Sequence, residues 1–489
     1  VGDGSGLKNV NLSGSIDQNG NLVIVDVEPT LTPSQTHNIL LGAGVAPDLT
    51  NGYNNIGIGG SALASATTTF DNVAIGPYTL SSVSSNSSGV NIAVGNSALK
   101  SLENGAYNVA MGTSAIEGAI FGERNVAIGV DALYGGDKNW NSVAIGHEAL
   151  LNIRSVIDVV DATLEEVVEN SGNPSTTLDE MAYGFPGNVA IGTGAFASPQ
   201  TSTATSTEVS MGNIAIGHMP MYNATKATNE NIAIGTFSLA ELEDGGGNIS
   251  IGRESMSQLN VGSGNIAIGR NSMREGEDIR NTIAIGQFAM GKANQSRQNT
   301  AVGASALRII GSELTEDIGW VKDENGNDIW NPIATSNVAV GTYSMNNTKS
   351  GYQNVAVGRS SLLYNNEGYD NVAVGDRALR DNNASFNTGL GRHALEQNIN
   401  GNYNTSVGYF SGGQLNTSGV SPTIGGNNNT FLGAFADTVS GVLIENSTAI
   451  GAGAIVTSSN TIQLGNDGIA LVNTSGIVSA TGFVGDGSG

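Results

Sequence analysis

Asp323, Asn325 and Asn327 alternate within the stretch GWVKDENGNDIWNP, residues 319–332. Alternating side-chain oxygens of this kind open calcium-binding loops, but such a loop closes on a bidentate glutamate, and Ala334 stands where that residue belongs. No metal is therefore expected here. Trp320 and Trp330 flank an Asn325-Gly326 turn signal, which predicts a β-hairpin with the two indoles opposed across it. Packing of the pair is the first expectation; the alternative is stacking on a saccharide ring, since aromatic faces suit sugars. Trp320, Asp323 and Trp330, with Tyr183 and Phe185 in another aperiodic stretch, are the candidate partner-contact residues. Catalytic chemistry has little to stand on. There is no Cys, and the four His (His37, His147, His218 and His393) stand singly. His147 and His218 occupy positions that elsewhere hold Thr, Arg or Asn, so they read as exposed variants. No HExxH, G-x-S-x-G or phosphate-binding loop is present. No enzyme activity and no cofactor are expected; a glycan-cleaving tailspike, with a carboxylate acid and base paired across stacked coils, is the least favoured alternative.

Such residues must be carried by a scaffold, and composition narrows the choice. Of 489 residues 69 are Gly and only 10 are Pro, without the period of collagen. A hydrophobic content of 39% supports a core. The net charge of -24 disfavours nucleic acid as a partner, because phosphate backbones are repelled. No apolar run approaches the roughly 18 residues of a membrane helix, so no membrane insertion is expected.

Internal repetition identifies the scaffold. The pentapeptide NVAIG, residues 72–76, recurs in variants 22 times, and 12 of the 21 spacings are 17 residues. Three residues before the glycine every copy has Val, Ile or Thr; one residue before it every copy has Ile, Val, Leu or Met. In a strand these share a face, and the position between them is Ala in 15 copies. A strand apolar on one face and small on the other is expected to be buried on both, as in a parallel sheet. Four residues before the glycine stands Asn in 18 copies, predicted to form amide ladders at the corners. After the glycine come a small residue and then Leu, Met or Ile, as in NSAL and DRAL. The expectation is an all-β, parallel β-roll or β-solenoid of about 22 stacked two-strand coils. At about 4.8 Å per coil it would run roughly 100 Å.

These residues resemble the head repeats of trimeric autotransporter adhesins, whose coils centre on a V-A-I-G strand. The segment NSTAIGAGAIVTSSNTIQLGN, residues 446–466, is closest, with a spacing of 14. The 17-residue form N-V-A-V-G-x-x-A-L is more similar to repeats of bacteriophage tail fibres. The flanks VGDGSGLKNV and GIVSATGFVGDGSG resemble junctions between modules of marine phage fibres. The resemblance implies a homotrimeric, extracellular virion or cell-surface fibre, with glycan or receptor contact as a further possibility. In a trimer the small column, including Ala74, Ala127, Ala233 and Ala356, would face the common axis while Val/Ile pairs fill each roll; the alternative is that Ala stands there because the turn of a single chain is tight. The chain has no coiled-coil stalk, membrane anchor or self-cleaving chaperone domain and is expected to be an internal or trimmed part.

The organisation expected is a junction with a β-hairpin over 1–37, a repeat shaft over 38–466, and a second junction over 467–489. Loops at 147–187 and 305–336 interrupt the shaft. In the first, SVIDVVDATLEEVVEN has the apolar spacing of a short acidic helix.

Overall fold

The structure is a computed structural model. It describes residues 15–16, 22–24, 37–83, 89–135, 138–151, 187–197, 212–224, 228–311, 319–322, 328–331, 334–413, 426–439 and 443–468. The helix expected near 155–170, Asp323, Tyr183, Phe185 and both VGDGSG segments lie outside these residues. Among the described residues there is no helix. The chain divides into two compact units, Val1–Ser336 and Asn337–Gly489.

Unit 1 stacks fourteen V-A-I-type strands, from Ile39–Leu41 to Thr300–Val302, as one parallel array. Unit 2 stacks eight, from Val338–Val340 to Ile462–Leu464. Register is set by the repeat itself: Val109, Ala110 and Met111 pair with Val126, Ala127 and Ile128. Spacing in sequence does not disturb it. Val143 pairs with Val189 across 46 residues in the same register as strands 17 residues apart. The fold is the parallel β-solenoid the repeat predicts. Before the repeats, Ser15–Ile16 pairs antiparallel with Leu22–Ile24, which in turn joins Ile39–Leu41 in parallel.

Two expectations change. The second arm of the coil is mostly a run of turns rather than a strand; in unit 1 it pairs in parallel from Gln258–Leu259 through Glu275–Glu277 and Lys292–Asn294 to Ile309–Ile310, and in unit 2 Asp437–Thr438 pairs in parallel with Ile455–Val456. In this arm the second and fourth residues after the glycine take left-handed backbone angles, as at Ser97 (φ 58°) and Leu99 (φ 52°). Their N–H groups then point in opposite axial directions, Ser97 donating to the preceding coil at Pro77 and Leu99 to the following one at Ala115. The arm is held by ladders without being pleated.

The second change is which face is inside. Ala74, Ala127, Ala233 and Ala356 are fully buried within a single chain, so they cannot face an axis between chains. The Val/Ile columns point outward, the reverse of the expectation. The cause is the thinness of the coil. Leu99, Ile116 and Leu133 of the turn arm fill the interior behind the strand. A Cβ added to Gly389, at a strand centre, would lie 3.1 Å from the Ala394 carbonyl and 3.2 Å from Leu379. Only a small residue fits there. Most coils therefore bury an Ala at the strand centre, a second small residue and one large apolar side chain, the last contributing about 1.5–3 kcal/mol.

Candidate interaction surfaces

The interior corner is fixed by asparagine. Asn108 donates through Nδ2 to Asn91 Oδ1 at 3.0 Å and to the Gly122 carbonyl at 2.8 Å. Its own Oδ1 accepts from the backbone N–H and side-chain amide of Asn125 at 3.1 and 3.0 Å. The pattern runs from Asn38 to Ser142, and again from Asn188 to Thr282. In unit 2 it runs from Asn337 to Ser447. These amides are buried and satisfied, so the ladder holds the scaffold and leaves no polar group for a ligand.

The outward strand face is the largest feature of both units. Ile92, Met111 and Ile128 are 43%, 44% and 38% exposed, while Ala93, Ala110 and Ala127 between their columns are fully buried. No charged residue occupies either outward column in any repeat, and only five threonines interrupt the aliphatic side chains. Fourteen strands about 4.8 Å apart and roughly 10 Å wide give unit 1 an apolar face of about 650 Å².

Around the turns the coils carry side-chain ladders that motif reading missed. In unit 2, Tyr352 and Tyr369 stack with centroids 4.7 Å apart, Tyr369 meets Phe386 edge-on at 5.0 Å, and Phe386 stacks on Tyr403 at 4.7 Å. Burial and the neighbouring Tyr369 and Asp370 push the Tyr352 hydroxyl up from its ordinary value. Because the rings cover one another, this ladder offers edges and few faces to a sugar. The recurring aromatic one or two residues before the ladder Asn was the available signal: Tyr352, Tyr369, Phe386 and Tyr403.

Charge is also laddered. Asp376 accepts from Arg359 at 3.0 Å and lies 3.4 Å from Arg392. Partial burial raises its carboxyl, but the hydrogen bonds and charges of these arginines outweigh that and leave it below its ordinary value. Glu396 is buried between His393 at 2.5 Å and Arg380 at 2.8 Å, and Arg380 also pairs with Asp381 at 2.6 Å. The His393 ring stacks on Phe410 at 4.2 Å, so this histidine is a packed member of its coil. His147 and His218 are exposed, as their column suggests.

The expected hairpin forms between Gly319–Lys322 and Asp328–Asn331, with Trp320 directly opposite Trp330 in the antiparallel register. Asp323, Tyr183 and Phe185 lie outside the described residues. Among the described residues no group of three His, Cys, Asp or Glu is arranged to hold a metal, and no helix is long and apolar enough to cross a membrane. No protein-family profile and no curated protein matches this chain.

Proposed function

We propose that this protein is a structural module of an extracellular or virion fibre, a stiff spacer built from identical chains packed side by side. What carries the reading is the outward Val/Ile face. Soluble monomers rarely leave contiguous apolar patches beyond a few hundred Å² exposed. The face of unit 1, about 650 Å², is close to the roughly 800 Å² each partner commits to a standard interface. Its regular spacing suits another copy of the same spacing, and a homotrimer with Val and Ile at the axis is the arrangement proposed. The mechanism is mechanical: hydrogen-bond ladders along each chain and apolar burial between chains resist shear and proteolysis. In this reading the protein catalyses no reaction.

A surface adhesin is the second reading, favoured by the Trp320/Trp330 hairpin in the 305–336 loop. Deleting 305–336 separates the two, because a spacer keeps its assembly whereas an adhesin loses its ligand.

The fibre reading is tested by sedimentation equilibrium of the wild type and of Ile128→Lys. The wild type is expected to sediment as a trimer. A lysine in the middle of the buried interface is expected to weaken assembly by about 2–5 kcal/mol, leaving the far-ultraviolet spectrum unchanged. A wild-type monomer at micromolar concentration would sink the proposal.

A further inference from the structure

Seven of the chain's 19 basic residues fall between 253 and 308, against four of its 43 acidic ones. This is a local reversal of charge in an acidic protein, and its arginines are unevenly neutralised. Arg253 is held by Glu254 at 2.9 Å and Lys292 by Glu275 at 3.1 Å. Arg274 reaches the same two carboxylates only at 3.9 and 4.0 Å, and its shielded Nε makes no hydrogen bond. Arg270 and Arg308 have no carboxylate within ion-pair distance among the described residues. Instead both guanidinium groups sit on one ring, Phe288, at 5.5 and 5.6 Å, reaching it from the coil before and the coil after. With the Gln287 amide oriented so that its oxygen faces Arg270, that neutral oxygen accepts from Nη2 at 2.8 Å and Nε at 3.2 Å. Arg274 and Arg308 occupy the same column two coils apart. The residue between them is Gly291, which has no side chain to fill the gap. The contrast with unit 2 is direct, since Arg359, Arg380 and Arg392 each meet a carboxylate within 3.4 Å.

We propose that Arg270, Arg274 and Arg308 form a binding surface for an acidic polysaccharide running along the coil axis. A guanidinium stacked on an aromatic ring is held in place, and the N–H groups of Arg308, with those of Arg270 that do not face Gln287, remain for a planar or tetrahedral oxyanion. Arg274 and Arg308 lie two coils apart, about 10 Å, which suits a polymer with one carboxylate or sulfate per few ångströms of sugar chain. Nucleic acid fits less well, because duplex DNA carries one charge per roughly 1.7 Å, several for each arginine of a column spaced at about 10 Å. Screening over about 8 Å at physiological salt lets the local cluster act on an anionic polymer although the chain as a whole carries a net charge of -24. The proposal stands or falls independently of the assembly of the strand faces.

The test is binding of a heparin oligosaccharide to the whole chain by calorimetry, with uncharged dextran and a single-stranded oligonucleotide as controls. Saturable heparin binding that weakens with salt is expected, with none to dextran and less to the oligonucleotide. Arg270→Gln with Arg308→Gln is expected to weaken it by about tenfold or more. Arg359→Gln, in the compensated cluster of unit 2, is expected to leave it unchanged. Should the double variant misfold, Arg308→Glu alone is expected to give the same loss. Absence of heparin binding at low salt, retention of it in these variants, or equal affinity for the oligonucleotide would overturn the proposal. So would a change in sedimentation of the double variant, which would assign the cluster to contact between copies of this chain.

Discussion

At the scale of single residues the coil depends on positions where no substitute has room. Gly112 has φ 144°, and a Cβ placed on it would lie 2.2 Å from the carbonyl oxygen of Gly129 in the next coil. Two independent penalties meet there, the backbone angle and a clash with backbone that cannot swing away. Gly112→Ala is expected to cost about 3 kcal/mol or more, read from chemical denaturation. Asn108 works the opposite way, through what it supplies. Asn108→Ala leaves the buried amides of Asn91 and Asn125 short of partners, and a loss of about 2–4 kcal/mol is expected. Asn54 bonds Asp71 only at an exposed position but sits at φ 56°, which Asn tolerates better than Ala, so Asn54→Ala is expected to cost about 1 kcal/mol, less than Asn108→Ala. Asp278 gives a pH signature. Partial burial raises its carboxyl, but hydrogen bonds from Arg297 at 2.8 Å and Arg280 at 2.5 Å win and lower it. A lowered folded-state value means stability present above the unfolded value, about 3.9, and lost as pH falls through the folded one. Thermal melts of the wild type are therefore expected to drop more steeply than those of Asp278→Asn below about pH 4.

At the scale of elements, much of the coil is legible in sequence. The strand, the glycine bend and the Asn corner each follow from residues that recur in nearly every copy, because each performs a backbone task that only a few side chains can perform. The strand's facing was not legible. Val-Ala-Ile alternation says that two faces differ in size, but it does not say which lies inside. That depends on the approach of the opposite arm, where Leu99 and its equivalents adopt left-handed angles that no apolar pattern announces. The same blindness applies to the ladders. Arg270, Phe288 and Arg308 are spread over three repeats and meet only because the coils stack in register. Their spacing was in the sequence, but column assignments outside the pentapeptide need the turn geometry.

At the scale of the molecule, each unit is a one-dimensional array in which a coil bonds chiefly to its neighbours, and stability accumulates coil by coil. This explains how long insertions are accommodated. The strands Val143–Ile145 and Val189–Ile191 stack as though the chain between them were absent. It also leaves each unit with one aliphatic face that the described residues do not cover, and the function proposed depends on what covers it. The absence of cysteine makes the decisive measurement simple. A single Ile128→Cys on the outward face is compared with Lys100→Cys on the turn arm under mild oxidation, with the products separated without reductant. Rapid formation of disulfide-linked chains by the first variant alone is the predicted result. A first variant that stays uncrosslinked, or crosslinks no faster than the second, would contradict packing of the strand faces against one another.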